Sequence, residues 1–315
     1  MVDLEQVIQS LDWHQEPQGL YSPIEYTLAG GGKRLRPRLA LMAAKMYGGE
    51  DLALPVALAL EIFHNFTLLH DDLMDKAPTR RGRPTVYVRW NENTAILSGD
   101  QMLIEAYKQL EALPPKQLPH ILHIFNKMAT EICKGQQLDM EFEQREHVSA
   151  EEYMDMIRLK TSVLLGTALE AGAYIAGASD ADQHNLREAG IQLGLAFQIQ
   201  DDILDTFGDV ATFGKPIGGD ILNNKKTLLL ITALTLADEE QLTTLNTWLS
   251  AQQGTFNPQE KIDAVRSIYE ATGAKKLCEN RMHFCTKAAL AALDKIPADT
   301  TEIRKLADKL TNREK

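Results

Sequence analysis

The sequence is poor in cysteine: only Cys133, Cys278 and Cys285 occur in 315 residues. An odd, sparse set excludes a disulfide framework and points to a reducing compartment. Cys278 and Cys285 lack a second Cys or His pair at zinc-binding spacing, so all three read as reduced structural thiols. Positive charge is also short, with 33 Lys and Arg against 44 Asp and Glu and a net charge of −11. Nucleic acid is therefore not an expected partner, because phosphate backbones need clustered cations. The same shortage makes any local basic cluster informative. Long uncharged apolar runs are missing. The most apolar stretch, Val163–Ala178, is short and contains Glu170, so it reads as a buried helix and no membrane span is expected. The opening residues MVDLEQVIQSLDW carry acids and no apolar run, unlike a signal peptide, and the expected location is the cytoplasm. No low-complexity tract or long linker divides the chain, which predicts a single domain over residues 1–315.

Strand-like alternation is nearly absent too, Thr85–Arg89 being the one weak case. Apolar spacing of three and four residues runs instead through Leu4–Leu11, Leu39–Met46, Val56–Leu69, Ala95–Leu110, Ile121–Ile132, Tyr153–Leu165, Leu186–Leu204 and Thr227–Leu236. Breaks fall at Gly30–Gly32, at Gly48–Gly49, in a basic loop Pro78–Pro84, and at Pro114–Pro119, Phe207–Gly219 and Gly254–Pro258. Beyond Pro258 charged and apolar residues alternate as in surface helices. The pattern predicts an all-α protein.

Two acidic motifs stand out. Leu68-Leu69-His70-Asp71-Asp72-Leu73-Met74-Asp75 closes one apolar helix, and Phe197-Gln198-Ile199-Gln200-Asp201-Asp202-Ile203-Leu204-Asp205 closes another. The outer aspartates of a motif are four apart and share a helix face, where like charges repel. Magnesium offsets such repulsion: it prefers hard oxygen ligands and is commonly shared with substrate phosphates. A solvated acidic helix end is the plain reading of one such triplet. Two copies fit that reading poorly, since each is led in by apolar residues and followed by a glycine-bearing loop. They predict a carboxylate cage for a small cluster of magnesium ions, with a diphosphate as its ligand.

The basic residues cluster beside these motifs. Gly31-Gly32-Lys33-Arg34-Leu35-Arg36-Pro37-Arg38 places four cations in six residues. Glycine permits close backbone approach, and the helix start that follows attracts anions. Arg80-Arg81-Gly82-Arg83-Pro84 follows the first motif by one short loop. Lys160-Thr161 lies within a helix, and Lys215, Lys225 and Lys226 follow the second motif. A solvated basic face explains any one cluster. Their placement predicts two anion sites, one bridged by metal and one held by Lys and Arg.

These segments, in this order, resemble the trans-isoprenyl diphosphate synthases, or polyprenyl synthetases. The likeness runs over roughly Gly30–Leu230 and rests on GGGKRLRP, HNFTLLHDDLMD, RRGRPT, the Lys160-Thr161 pair, FQIQDDILD and GKPIGGD with KKT after it. The resemblance implies an all-α, single-domain helical bundle of the isoprenoid-synthase type around a central cavity, usually as a homodimer. It implies head-to-tail condensation of isopentenyl diphosphate with an allylic diphosphate. Asp71, Asp75 and Asp201 match direct magnesium ligands, for up to three ions, and Asp72, Asp202 and Asp205 match supporting positions. Lys33, Arg36, His64 and Arg81 match residues that bind isopentenyl diphosphate. Arg80, Lys160, Thr161, Gln198, Lys215 and Lys225 match those around the allylic diphosphate. Lys160 and Lys215 would help neutralise the leaving diphosphate as the allylic C–O bond ionises. The carbocation then alkylates the double bond of isopentenyl diphosphate, and the released diphosphate can take the proton. No Ser-His-Asp or Cys-His arrangement is needed, and none is discernible. His64 alone reads as a core histidine, and the resemblance makes it a ligand. His70 reads as structural.

Phe66 and Thr67 precede Asp71 by five and four residues, about 6–8 Å down a helix. In this family a bulky aromatic at that level blocks a growing chain. With Phe66 bulky and Thr67 small, the pattern resembles short-chain geranylgeranyl synthases. The expected product is C20, with C15 the alternative. A class I terpene cyclase also ionises allylic diphosphates but lacks the second basic anion site. Head-to-head synthases carry Asp-x-x-x-Asp motifs, and non-catalytic subunits tend to lose a motif; this chain keeps both in the Asp-Asp-x-x-Asp form. Leu228-Leu229-Leu230 stands where the family often has a proline, a departure that touches only local loop shape.

Overall fold

A computed structural model describes residues 3–208, 217–252 and 254–311. These residues form helices almost throughout, and they group into two compact units, Met1–Asn126 with Thr167–His184, and Lys127–Gly166 with Asn185–Lys315.

In the first unit the Leu54–Met74 helix buries Val56, Leu60, Ile62, Phe63 and Leu69. A helix apolar on most of its faces must be enclosed by others. It packs against Glu92–Leu110, with Gln18–Leu28 and Leu35–Lys45 beside it. His70 fastens the first contact: its Nε2 lies 3.1 Å from the Ile96 carbonyl, and its ring fills the space that a Cβ on Gly99 would need. Among the described residues the stretch Asp51–Met74, rather than Val163–Ala178, is the one long and apolar enough to cross a membrane. In its most apolar window 61% is buried, as in a core helix.

Arg34 ties three segments together. Its backbone is left-handed (φ 46°) and its side chain is buried. The guanidinium donates to Glu61 Oε1 at 2.6 Å, Glu5 Oε1 at 2.8 Å and the Leu28 carbonyl at 2.7 Å.

The expected basic loop Pro78–Pro84 contains a small hairpin, Thr79–Arg80 paired with Arg83–Pro84. Arg81 and Gly82 both have positive φ (54° and 73°), as a tight two-residue hairpin turn requires. Thr85–Arg89, the weak strand candidate, is corrected to the helix Val86–Arg89. Among the described residues the hairpin strands pair only with each other, and the backbone of this segment closes on itself through Arg89 N to the Thr85 carbonyl at 2.9 Å.

In the second unit Ala150–Ile157 runs into a five-residue π turn, Arg158–Ser162, and the helix Val163–Ile175 follows, of which the residues to Gly166 belong to this unit. The core gathers Tyr153, Met156, Ile199, Leu229, Val265 and Met282. The segment expected as surface helices contributes to this core. Ala274–Leu293 buries Cys278, Met282 and Cys285, whereas Cys133 is exposed.

Candidate active site

The first aspartate helix ends on side chains of unequal exposure: Asp72 is buried, Asp71 half-buried and Asp75 exposed. A buried carboxylate needs a partner. Arg80 reaches back from the hairpin, its Nε 2.7 Å from Asp72 Oδ1 and its Nη2 3.5 Å from Asp71 Oδ2. Burial pushes the Asp72 carboxyl up to about 6, with Arg80 pulling the other way and Asp71 and Asp75 adding to the rise.

The predicted basic ligands of this unit share one electrostatic neighbourhood. Burial pushes the Arg36 guanidinium down to about 10, Glu61 opposing and Arg81 adding to the shift. Arg36 Nε is buried without a hydrogen-bond partner. Arg81 Nη1 donates to the Gly31 carbonyl, which ties the hairpin to the glycine loop. Burial, then Arg36, Arg81, Arg80 and Arg34, hold His64 well below the usual imidazole range, so its ring is neutral at pH 7. Lys33 is exposed on the same glycine loop. A buried guanidinium nitrogen without a partner, among like charges, fits an anionic ligand. Below, Phe66 stands edge-on to Phe63 at 5.5 Å and to His70 at 4.9 Å, and Phe63 meets Phe125 at 5.3 Å. Thr67 Oγ1 donates to the His64 carbonyl at 2.8 Å.

The second motif, on Asp180–Phe207, repeats the pattern: Asp202 is buried, and Asp201 and Asp205 are half-buried. Asp202 Oδ2 accepts from the Tyr153 hydroxyl, and Oδ1 accepts from Gln198 Nε2 at 3.0 Å. Gln198 Oε1 accepts from Thr161 Oγ1 at 3.2 Å. Burial and the nearby Asp220 push the Asp202 carboxyl up to about 8, while Tyr153, Gln198 and Lys225 pull it down. Lys160 projects from the π turn, its Nζ 2.5 Å from Asp139 Oδ2. Burial raises the Asp139 carboxyl, but Lys225 and Lys160 outweigh it and hold it below the ordinary value. Asp205 braces the turn before Lys225, accepting Asp220 N at Oδ2 (2.9 Å) and Gly218 N at its carbonyl (2.6 Å).

Lys160, Thr161, Gln198, Asp202 and Lys225 are thus gathered in one unit, and Lys33, Arg36, His64, Arg80 and Arg81 in the other. Lys215 lies outside the described residues. Among the described residues no three His, Cys, Asp or Glu side chains converge closely enough to hold a metal ion. The donor set of the first motif nevertheless suits a hard divalent cation, being carboxylate oxygens to which a cationic side chain, Arg80, is already drawn.

The sequence model of the polyprenyl synthetases, matched by the description "Polyprenyl synthetase", covers residues 17–271. The chain belongs to this family. A geranylfarnesyl diphosphate synthase of Aeropyrum pernix is 34% identical over 302 residues, 93% of each chain. A solved geranylgeranyl pyrophosphate synthase superposes with a TM-score of 0.93 at 41% identity, over 99% of this chain and 96% of its own. A geranylgeranyl pyrophosphate synthase of Corynebacterium glutamicum, solved with isoprenyl diphosphate and magnesium, gives 0.85 at 30% identity, over 99% and 95%. This polyprenyl synthetase is a prenyltransferase of short-chain trans-prenyl condensation, with the all-α isoprenoid synthase fold. Its family uses isopentenyl and allylic diphosphates. Three residues around the synthetase's second motif escape the motif reading: Tyr153, Asp139 and Asp220. Asp220 alone had a signal, as the last residue of the GKPIGGD segment.

Proposed function

We propose that this enzyme makes geranylgeranyl diphosphate, C20, from isopentenyl diphosphate and an allylic diphosphate, with magnesium held by Asp71, Asp75 and Asp201. The observation that carries the metal reading is the repeated burial pattern. In each motif the middle aspartate is buried and bonded within the protein, by Arg80 for Asp72 and by Tyr153 and Gln198 for Asp202. The outer aspartates are more exposed, and of these Asp205 already braces the Gly218–Asp220 turn; this supports Asp71, Asp75 and Asp201 as the metal-facing set, with Asp72, Asp202 and Asp205 as supports.

Up to three magnesium ions, when bound, supply positive charge to the allylic diphosphate as its C–O bond breaks. Arg80, Lys160, Lys215 and Lys225 add fixed charge around that diphosphate, and Thr161 and Gln198 orient it. Lys33, Arg36, Arg81 and neutral His64 hold isopentenyl diphosphate. Arg36 fits this part best, because its buried Nε has a bond still to make. Holding the second substrate brings its double bond to the allylic carbon. The released diphosphate takes the proton.

Phe66, braced by Phe63 and His70, sets the floor for chain growth. The exposed Ile96, Leu97 and Ile104 on Glu92–Leu110 support a homodimer through that helix face. The whole chain acts as one catalytic domain, in the cytoplasm.

Product analysis with magnesium, dimethylallyl diphosphate and excess isopentenyl diphosphate tests the reading. A C20 main product is expected, and Phe66→Ala should lengthen it without abolishing turnover. A main product beyond C25 overturns the Phe66 floor. The metal assignment has its own readout: magnesium with inorganic diphosphate should raise the melting temperature of the native enzyme, and of Asp71→Ala much less.

A further inference from the structure

The outward face of the Ala274–Leu293 helix has an unusual composition for this chain. Its other face is buried through Cys278, Met282 and Cys285. Outward stands Phe284, at 61% the most exposed large apolar side chain among the described residues, and Leu277 at 48%. They are seven residues apart, so they lie on one stripe. Lys276 and Lys287 flank that stripe on one side and Arg281 on the other, and all three are exposed. The Arg281 guanidinium stands 5.5 Å from the Phe284 ring. None of the exposed residues of this helix is a carboxylate, although Asp and Glu outnumber Lys and Arg by 44 to 33 in the chain. Glu279, its one acid, is half-buried and pairs with Lys276 at 3.5 Å.

An apolar stripe rimmed by cations is the composition of a surface that lies on a bilayer. Aromatic and aliphatic side chains enter the acyl boundary, while Lys and Arg meet anionic headgroups. Neither half suffices alone. Two apolar side chains bury little area, and three cations in an acidic chain are screened within a Debye length. We propose that this face docks the enzyme reversibly on anionic lipid surfaces. The partner chemistry is a negatively charged bilayer, chosen by charge complementarity in a protein that otherwise repels one. The product of prenyl condensation is itself an amphiphile, so docking would release it where its hydrocarbon tail partitions. Docking of this face requires none of the proposed metal or substrate ligands.

Vesicle flotation of the full-length enzyme tests it, with equimolar phosphatidylglycerol and phosphatidylcholine against phosphatidylcholine alone. Binding is expected only to the anionic vesicles and should fall as salt rises. Leu277→Ser/Phe284→Ser and, separately, Lys276→Gln/Arg281→Gln/Lys287→Gln should each weaken it at least about tenfold. Both variants should keep the native melting temperature and the turnover measured without vesicles. Absence of flotation with anionic vesicles overturns the proposal, as does equal flotation of the variants. Sedimentation supplies a third arm. A smaller assembly for Leu277→Ser/Phe284→Ser than for the native enzyme would assign the face to a second copy of the chain and overturn the lipid reading.

Discussion

Neighbouring cations of the same run have been given different work. Lys33 is exposed on a glycine loop. Arg34 turns inward through a left-handed backbone and is spent on Glu61, Glu5 and the Leu28 carbonyl. Arg36 is driven down to about 10 by burial and keeps a buried Nε without a partner. Composition cannot separate the three, because the division depends on which way each side chain leaves the loop. The roles separate by measurement. Arg34→Met leaves Glu61 buried without its guanidinium and should cost about 3–5 kcal/mol of unfolding free energy. Lys33→Met is a surface change and should stay within about 0.5 kcal/mol, while raising the KM for isopentenyl diphosphate. Urea denaturation and steady-state kinetics on both variants read the two effects. Equal stability of Arg34→Met and the native enzyme would remove Arg34 from its structural role.

At the scale of the element, the π turn Arg158–Ser162 is the least regular feature beside the second motif, and it carries Lys160 and Thr161. π turns widen a helix by one residue per turn, are seldom stable alone and concentrate at functional positions. Here glycines hold the widened backbone. A Cβ on Gly135 would overlap the backbone of Lys160, and one on Gly194 would overlap Ser162. Gly135→Ala should therefore cost about 1–3 kcal/mol through overpacking. It should also lower kcat by moving Lys160, which is paired with Asp139. Restoring native stability with an osmolyte should leave the kcat loss in place; recovery of both together would argue against the positional effect. Elements of this kind also show where the sequence was readable. Long helices such as Leu54–Met74 and Asp180–Phe207 were legible because their apolar period persists over many turns. Gln18–Leu28 was not, since Gly19 and Pro23 argue against a helix that packing against Glu92–Leu110 supports. The π turn was hidden because a 3.6-residue period cannot represent it. Both aspartate motifs were plain, being contiguous. Tyr153 and Asp139 were not, because only folding carries them to Asp202 and Lys160 from other helices.

For the whole molecule, the buried thiols turn a compositional absence into a pH dependence. With so few cysteines, each can be assigned, and Cys278 is the clearest. It lies in the core of the second unit, where burial, with Asp202 adding, pushes its thiol from 9.0 up to about 12. In the unfolded chain the thiol ionises near 9.0; in the folded protein it stays protonated to about 12. Between those values the unfolded state binds fewer protons, so unfolding becomes easier as pH rises. Below 9.0 both states hold the proton and the thiol contributes no slope. Native enzyme should therefore lose about 1.4 kcal/mol relative to Cys278→Ala between pH 8 and 10. Alanine costs stability by leaving a small cavity, but that cost is the same at every pH. The general repulsion of a chain with net charge −11 grows equally in both proteins, and the buried phenols of Tyr153 and Tyr269, held above the ordinary value, act alike in both. The difference between the two profiles isolates one thiol. Urea denaturation in reducing buffer at half-unit pH steps measures it, and parallel profiles would show that the Cys278 thiol ionises as freely in the fold as outside it.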